Sequence, residues 1–198
     1  MLKLNIKINS GLYKSRRIQA PSSIRPTQDK IKQAIFNIFG KCIVDANVLD
    51  LFSGSGALGI EAISRGAKYV LFVESNRLAA RIIAENIKNL KIPNHLWDIL
   101  IMDAYKAMAM LHTRNKYYNI VFADPPYDKN QIKKILQTLS QYDILERNSI
   151  IAIEHSFRES IPENEYNFLL IKQKKYRDTI LSFFKTNHEK TSHIPGNI

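Results

Sequence analysis

Three of the chain's seven glycines fall within six residues, in Asp50-Leu51-Phe52-Ser53-Gly54-Ser55-Gly56-Ala57-Leu58-Gly59-Ile60-Glu61. Glycine lets a backbone turn sharply and lie close to a neighbour or ligand with no Cβ in the way. An apolar strand that runs into such a loop and leaves it as a helix is a strand–turn–helix unit, and the spacing downstream repeats it. Strands are predicted over 47–52, 69–74, 97–102, 119–123 and 150–154, with helices between them over 56–64, 78–90, 104–112 and 130–140. Alternation of this kind with largely apolar strands predicts an α/β fold with a parallel sheet covered on both faces. The end differs. Residues 168–176 and 179–184 are strand-like runs joined tightly through Arg177-Asp178, which predicts an antiparallel hairpin and brings the sheet to seven strands.

Ahead of this core, Leu2, Leu4, Ile6 and Ile8 alternate with polar residues, the period of a strand with one buried face. Ser10-Gly11 marks a turn, and 12–18 is expected to run back as a second strand. After the break at Ala20-Pro21, Thr27 is placed to cap a helix reaching Phe39, with Ile31, Ile35, Ile38 and Phe39 on one face and Gly40 as its stop. The expected organisation is a basic hairpin and helix over 1–41, a core over 42–185 and a tail over 186–198.

At 198 residues, with 45% hydrophobic and 24% charged side chains, the composition is that of a single globular domain. One cysteine excludes an internal disulfide, and no His/Cys cluster points to a metal. No apolar run approaches the ~18 residues of a membrane span, and no signal-like segment opens the chain, so a cytoplasmic protein without a membrane partner is expected. The net charge of +11 is segregated. Residues 1–41 hold nine Lys/Arg against one acid, 42–168 hold fourteen against fifteen, and 169–198 hold six against two. Basicity concentrated at two ends points to a surface that meets a polyanion, nucleic acid above all.

The glycine loop sits where parallel sheets bind ligands, at the carboxyl edge. Glu74 lies twenty residues after Gly54 at the end of the next strand, where an acid can take a ribose hydroxyl pair. Gly54-x-Gly56-x-x-Gly59 with Glu74 also satisfies the dinucleotide fingerprint, so this pattern alone leaves NAD open. Two acids argue for S-adenosylmethionine instead. Asp50, four residues before the first glycine, suits a cationic methionine end better than an anionic pyrophosphate, and Asp103 ends the third strand where an adenine amino group can be met.

Residues 118–123 form an apolar strand that runs directly into Asp124-Pro125-Pro126-Tyr127, at the same edge. Two prolines fix φ twice and remove two N–H donors, leaving carbonyls as directed acceptors. An acid plus a rigid carbonyl makes two acceptors for one amino group, and the tyrosine offers a stacking face. An exocyclic amine on a base is a poor nucleophile because its lone pair is delocalised. Two acceptors that hold its hydrogens localise that lone pair for attack on a methyl sulfonium.

Residues 50–61, Glu74, Asp103 and the tetrapeptide at 124–127 together resemble the class I S-adenosylmethionine-dependent N-methyltransferases. Gly11-Leu12-Tyr13-Lys14-Ser15-Arg16-Arg17-Ile18, Arg25-Pro26-Thr27 and Lys175-Tyr176-Arg177-Asp178-Thr179 narrow the resemblance to the bacterial RsmD family, over residues 6–185. That resemblance implies a Rossmann-like fold and methylation of N2 of one guanine in 16S rRNA. It implies that Asp50, Phe52, Gly54, Gly56 and Glu74 line the cofactor with Ser75, Asp103 and Ala104. Residues 25–27, Thr27 among them, would close over the methionine end or the base pocket. Asp124, Pro125, Pro126 and Tyr127 would hold the target base, while Tyr13, Lys14, Arg16, Arg17 and Arg25 would contact RNA. The partner would be 16S rRNA in the small subunit or an assembly intermediate, met by a monomer. The chain departs from the family pattern at Ser10 and Ser15, where glycines are usual, and at Arg177, where the pattern is Tyr-Gly-Asp-Thr.

Other readings stay open at this level. The same amine-holding logic serves DNA adenine and protein glutamine, although the glutamine enzymes carry Asn at the Asp124 position. A nucleic-acid-binding module with a vestigial cofactor fold is the third reading. Lys172, Lys174 and Lys175 fit a phosphate contact and a solvated sheet edge equally well. Trp97 and Cys42 are expected to be packing residues, and His95, His112, His155, His188 and His193 show no ligand spacing.

Overall fold

The computed structural model describes residues 4–21, 29–126, 130–161, 166–176 and 179–187. The Thr27 cap, Arg25, Tyr127 and the turn at 177–178 therefore lie outside the described residues.

The strands β3 (Asn47–Leu51), β4 (Tyr69–Val73), β5 (Trp97–Leu100), β6 (Tyr118–Ala123) and β7 (Leu145–Ser156) run parallel. β8 (Phe168–Tyr176) and β9 (Thr179–Thr186) complete the seven-stranded sheet in antiparallel sense, in the order β5-β4-β3-β6-β7-β9-β8. β9 therefore slots against β7 and leaves β8 at the edge. β3 stands between β4 and β6, so successive crossovers leave it in opposite directions and open a crevice at its carboxyl end.

Among the described residues, five helices cover the sheet: α1 (Asp29–Phe39), α2 (Ala57–Ser64), α3 (Arg77–Leu90), α4 (Ala104–Thr113) and α5 (Gln131–Gln141). Strand alternation sorts them into two layers. Val48, Val70, Phe72, Ile120 and Phe122 face the side covered by α1, α2 and α3. Leu49, Leu51, Leu71, Val73, Val121 and Ala123 face α4 and α5. The first layer also buries Ile6, Ile8, Ile18 and Ala20 of an N-terminal hairpin, β1 (Leu4–Lys7) and β2 (Arg17–Ala20), within the same core.

The core elements fall within about two residues of their expected bounds except β7, which begins at Leu145 rather than residue 150; the N-terminal hairpin also departs from expectation. The second strand begins at Arg17 rather than residue 12. The N–H groups of Leu12 and Tyr13 are spent on Ser64 at the end of α2, at 2.7 and 2.9 Å, so residues 11–15 make a turn instead of a ladder. Ser15 adopts φ 70°, the region that favours glycine. Cys42 also differs from expectation and is exposed. In the tight 3-10 turn Gly40–Ile43, Ile43 takes the inward position at 1% exposure, so Cys42 points out. Trp97 packs against the core as expected.

Candidate active site

The glycine loop leaves β3 through three successive departures from ordinary backbone. Phe52, Gly54 and Gly56 adopt φ of 57°, 56° and 76°. The left-handed region costs a side-chain-bearing residue roughly 1–2 kcal/mol, so Phe52 is held there by its surroundings. Its ring meets Tyr105 edge-on at 6.1 Å between centroids. Ser53 pins the loop to β4: its hydroxyl donates to the Asp50 carbonyl at 2.6 Å and accepts the Val73 N–H at 3.0 Å.

Gly59 has ordinary helical φ and is needed for a different reason. A Cβ there would lie 2.2 Å from the Phe72 ring and 2.9 Å from Asp50 Oδ2. That close approach lets the Gly59 N–H donate to Asp50 Oδ2 at 3.0 Å. Asp50 is 2% exposed, and its carboxyl is pushed up to about 7. Burial is the main cause; the Gly59 hydrogen bond opposes it, and the negative charge of Glu74 adds to it.

Glu74, at the end of β4, bridges two turns. Its Oε2 accepts the Gly54 N–H at 2.8 Å and its Oε1 accepts the Asn76 N–H at 2.7 Å. The side chain thus couples the glycine loop to the start of α3, and a carboxylate retains further acceptor capacity beyond two bonds. Ser75 is exposed beside it. Asp103, after β5, caps α4 by accepting from Tyr105 and Lys106 N–H, both through Oδ1 at 3.1 Å, with its carboxylate exposed. Ala104 opens that helix and is buried.

On the other side of β3, the register pairs Leu51 with Ala123. Asp124 follows directly and is half-buried, Pro125 is buried and Pro126 is exposed. The expected cofactor residues Asp50, Phe52, Gly54, Gly56, Glu74, Ser75, Asp103 and Ala104 thus share one sheet edge with Asp124, Pro125 and Pro126. The basic residues stand elsewhere. Lys14, Arg16 and Arg17 are exposed on the hairpin, with an Arg16 N–H donating to the Asn89 carbonyl of α3 at 3.4 Å. Tyr13 is half-buried and packs against the core.

Sequence reasoning missed several residues that build this edge. The Tyr105 hydroxyl donates to Gln131 Oε1, and Lys134 Nζ lies 3.8 Å from the centre of the Tyr105 ring. Glu159 Oε1 accepts the Ile132 N–H at 3.0 Å, capping α5 from the loop after β7. Asn130 is in the left-handed region and gives that helix no side-chain cap. These bonds fix where the segment after Pro126 re-enters the fold. Contacts between residues far apart in the chain carry no periodic signal. Among the described residues no cluster of three or more His, Cys, Asp or Glu could hold a metal, and no helix is long and apolar enough to cross a membrane.

Comparison with known proteins agrees with this architecture. The family model described as conserved hypothetical protein 95 matches residues 6–185. Ribosomal RNA small subunit methyltransferase D of Buchnera aphidicola (subsp. Acyrthosiphon pisum) is 36% identical over 163 residues, covering 80% of this chain and 83% of that protein. The protein of the same name from Escherichia coli K12 is 32% identical over 171 residues, 85% of this chain and 84% of its own length. Among solved structures, yhhF from Escherichia coli superposes with a TM-score of 0.82 at 28% identity, covering 93% of this chain and 99% of that one.

Proposed function

The chain belongs to the RsmD family, described as conserved hypothetical protein 95, and on that premise we propose that it transfers the methyl group of S-adenosylmethionine to the exocyclic N2 amine of a guanine in 16S rRNA of the small ribosomal subunit. The observation that carries this reading is the register across the switch point. Leu51, leading into the glycine loop, pairs with Ala123, leading into Asp124 and Pro125. Neighbouring strands lie about 5 Å apart, so a methyl donor in the loop and an amine held by Asp124 and a proline-fixed carbonyl would be adjacent. Alignment of two reactants can by itself supply several kcal/mol of the barrier.

In the proposed cofactor site, Glu74 takes the ribose hydroxyls, Asp103 meets the adenine amino group through the oxygen its cap does not use, and Asp50 faces the methionine end. Ser75, Ala104 and Phe52 line the adenosine side, and residues 25–27, Thr27 among them, close over the methionine end or the base pocket. S-adenosylmethionine supplies an activated methyl on sulfonium. Asp124 and the following carbonyl accept the two amine hydrogens and localise the nitrogen lone pair, with Tyr127 stacked on the base. Bound there, the cofactor would give up its methyl group and leave as S-adenosylhomocysteine, and Asp124 would stabilise the positive charge on the amine nitrogen until one amine proton passes to the carboxylate or to water. Lys14, Arg16, Arg17 and Arg25 contact phosphates of the RNA. The names of the relatives and the concentration of cations on residues 1–41 support RNA over DNA or protein.

The test is methyl transfer from tritiated S-adenosylmethionine to small subunits lacking native methyl groups, with the labelled nucleoside identified after digestion. Label in N2-methylguanosine is the expected result; label only in DNA or protein would discard the ribosomal substrate. Replacing Asp124 with Ala should abolish turnover while cofactor affinity stays within about three-fold, because the residue acts on the amine. Surviving turnover would remove Asp124 from the chemistry.

A further inference from the structure

A carboxylate in the middle of a helix, with no charged ligand in prospect, is normally solvated. Glu61 of α2 is instead fully buried. Its Oε2 accepts the Asn9 N–H at 2.8 Å, and its Oε1 accepts the Ser10 N–H at 3.0 Å and Arg65 Nε at 2.9 Å. Lys32 Nζ of α1, itself 1% exposed, lies 3.4 Å from Oε2 and also donates to the Lys7 carbonyl. One turn further along α2, the Ser64 hydroxyl donates to the Ser10 carbonyl at 2.5 Å and accepts the Tyr13 N–H at 2.9 Å, while the Ser64 carbonyl accepts the Leu12 N–H at 2.7 Å. Gly11 is pressed so closely onto this helix end that a Cβ would lie 1.6 Å from the Ser64 carbonyl oxygen. Its φ is also +81°.

These bonds spend a helix's interior polar groups on the turn of a hairpin more than fifty residues away. The hairpin's second strand is clamped independently. Asn86 of α3 accepts the Gln19 N–H and donates to the Gln19 carbonyl, both at 2.8 Å. The same amide reaches the Ser55 carbonyl in the glycine loop at 3.3 Å. Charged and polar groups buried on this scale carry a desolvation cost that packing hydrophobes would avoid, and fixing a geometry is the use that offsets it.

We propose that Glu61 and Ser64, with Gly11 as the point of closest contact, are positioning residues for the RNA substrate. They lock the basic hairpin onto the helix that opens from the glycine loop, so that Lys14, Arg16 and Arg17 stand at a fixed offset from the methyl-transfer edge. The inference rests on the proposed RNA reading of that hairpin. A preorganised phosphate-binding surface avoids the ordering cost that a mobile one meets on each encounter. The clamp acts on KM for RNA and leaves the cofactor site, held by Asp50 and Glu74, as it is.

The test compares Gly11→Ala, which drives the turn off α2 while leaving Glu61 its ion pairs with Arg65 and Lys32, and Ser64→Ala with the wild type and with Arg16→Ala/Arg17→Ala. Each is measured for small-subunit RNA affinity, S-adenosylmethionine affinity, and KM and kcat of methyl transfer. Gly11→Ala should raise the RNA KM roughly 10-fold with kcat and S-adenosylmethionine affinity within about two-fold, and Ser64→Ala should shift the same quantity less. Unchanged RNA affinity, or RNA and cofactor affinity falling together, would overturn the positioning role. If the double arginine variant binds RNA as the wild type does, the RNA reading of the hairpin fails instead. Should Gly11→Ala not fold, Ser64→Ala decides alone by the same criterion.

Discussion

Asp50 shows how one side chain ties backbone conformation to proton affinity. It sits under the glycine loop because Gly59 admits the approach, and burial there lifts its carboxyl from 3.8 to about 7. A raised acid binds its proton more tightly in the folded state, so its contribution to stability is complete below pH 3.8 and is lost as the pH rises through about 7. Asp50→Asn removes that dependence and keeps an acceptor for the Gly59 N–H. Its melting temperature should therefore fall less between pH 5 and pH 8 than that of the wild type. A cationic methionine end bound nearby would pull the wild-type carboxyl down again. Calorimetric titration with S-adenosylmethionine at pH 7, in buffers of different ionisation enthalpy, should show release of a fraction of a proton. Asp50→Asn should show none, and release that persists in that variant would assign the proton to another group.

Helix starts carry the site's second layer of control. α3 is capped by Asn76, whose Oδ1 accepts from Leu78 and Ala79 N–H at 2.9 and 3.2 Å. α4 is capped by Asp103, and α5 by Glu159 from a distant loop. Asp103 therefore has a structural duty whatever it binds, and the two duties separate by substitution. Asp103→Ala should lower stability by about 1 kcal/mol through loss of the cap and weaken the cofactor as well. Asp103→Asn retains an oxygen for the cap, so its melting temperature should stay near that of the wild type. If both variants lose cofactor affinity in proportion to stability alone, Asp103 is a cap and nothing more. The capping role is foreseeable from an acid just before a helix. The Glu159 cap is not, because the helix it serves starts twenty-eight positions earlier in the chain.

At the scale of the whole molecule, two clusters of basic residues stand apart in the fold. Arg16 and Arg17 stand on a hairpin docked to α2 and α3, whereas Lys172 and Lys175 are exposed on β8, the outermost strand. Leu169 and Ile171 on that edge are 47% and 43% exposed, the situation in which lysines guard against strand-to-strand association. Arg16→Ala/Arg17→Ala should flatten the salt dependence of RNA binding by about two phosphate contacts' worth, a slope change of roughly 1.5. Lys172→Ala/Lys175→Ala should leave that slope alone and increase aggregation, measured by light scattering. A slope that responds to both pairs would place RNA across the whole molecule. The α/β alternation, the positions of the core strands apart from the early start of β7, and the motif residues 50–59, 74, 103 and 124–126 were legible in the sequence because each depends on local periodicity or on residues a few positions apart. Tertiary structure decided the insertion of β9 between β7 and β8, the late start of β2, the outward turn of Cys42 and the burial of Glu61 and Lys32. Each of these is settled by which distant surface competes for a backbone donor or a side chain. Such competition leaves no trace in the order of residues along the chain.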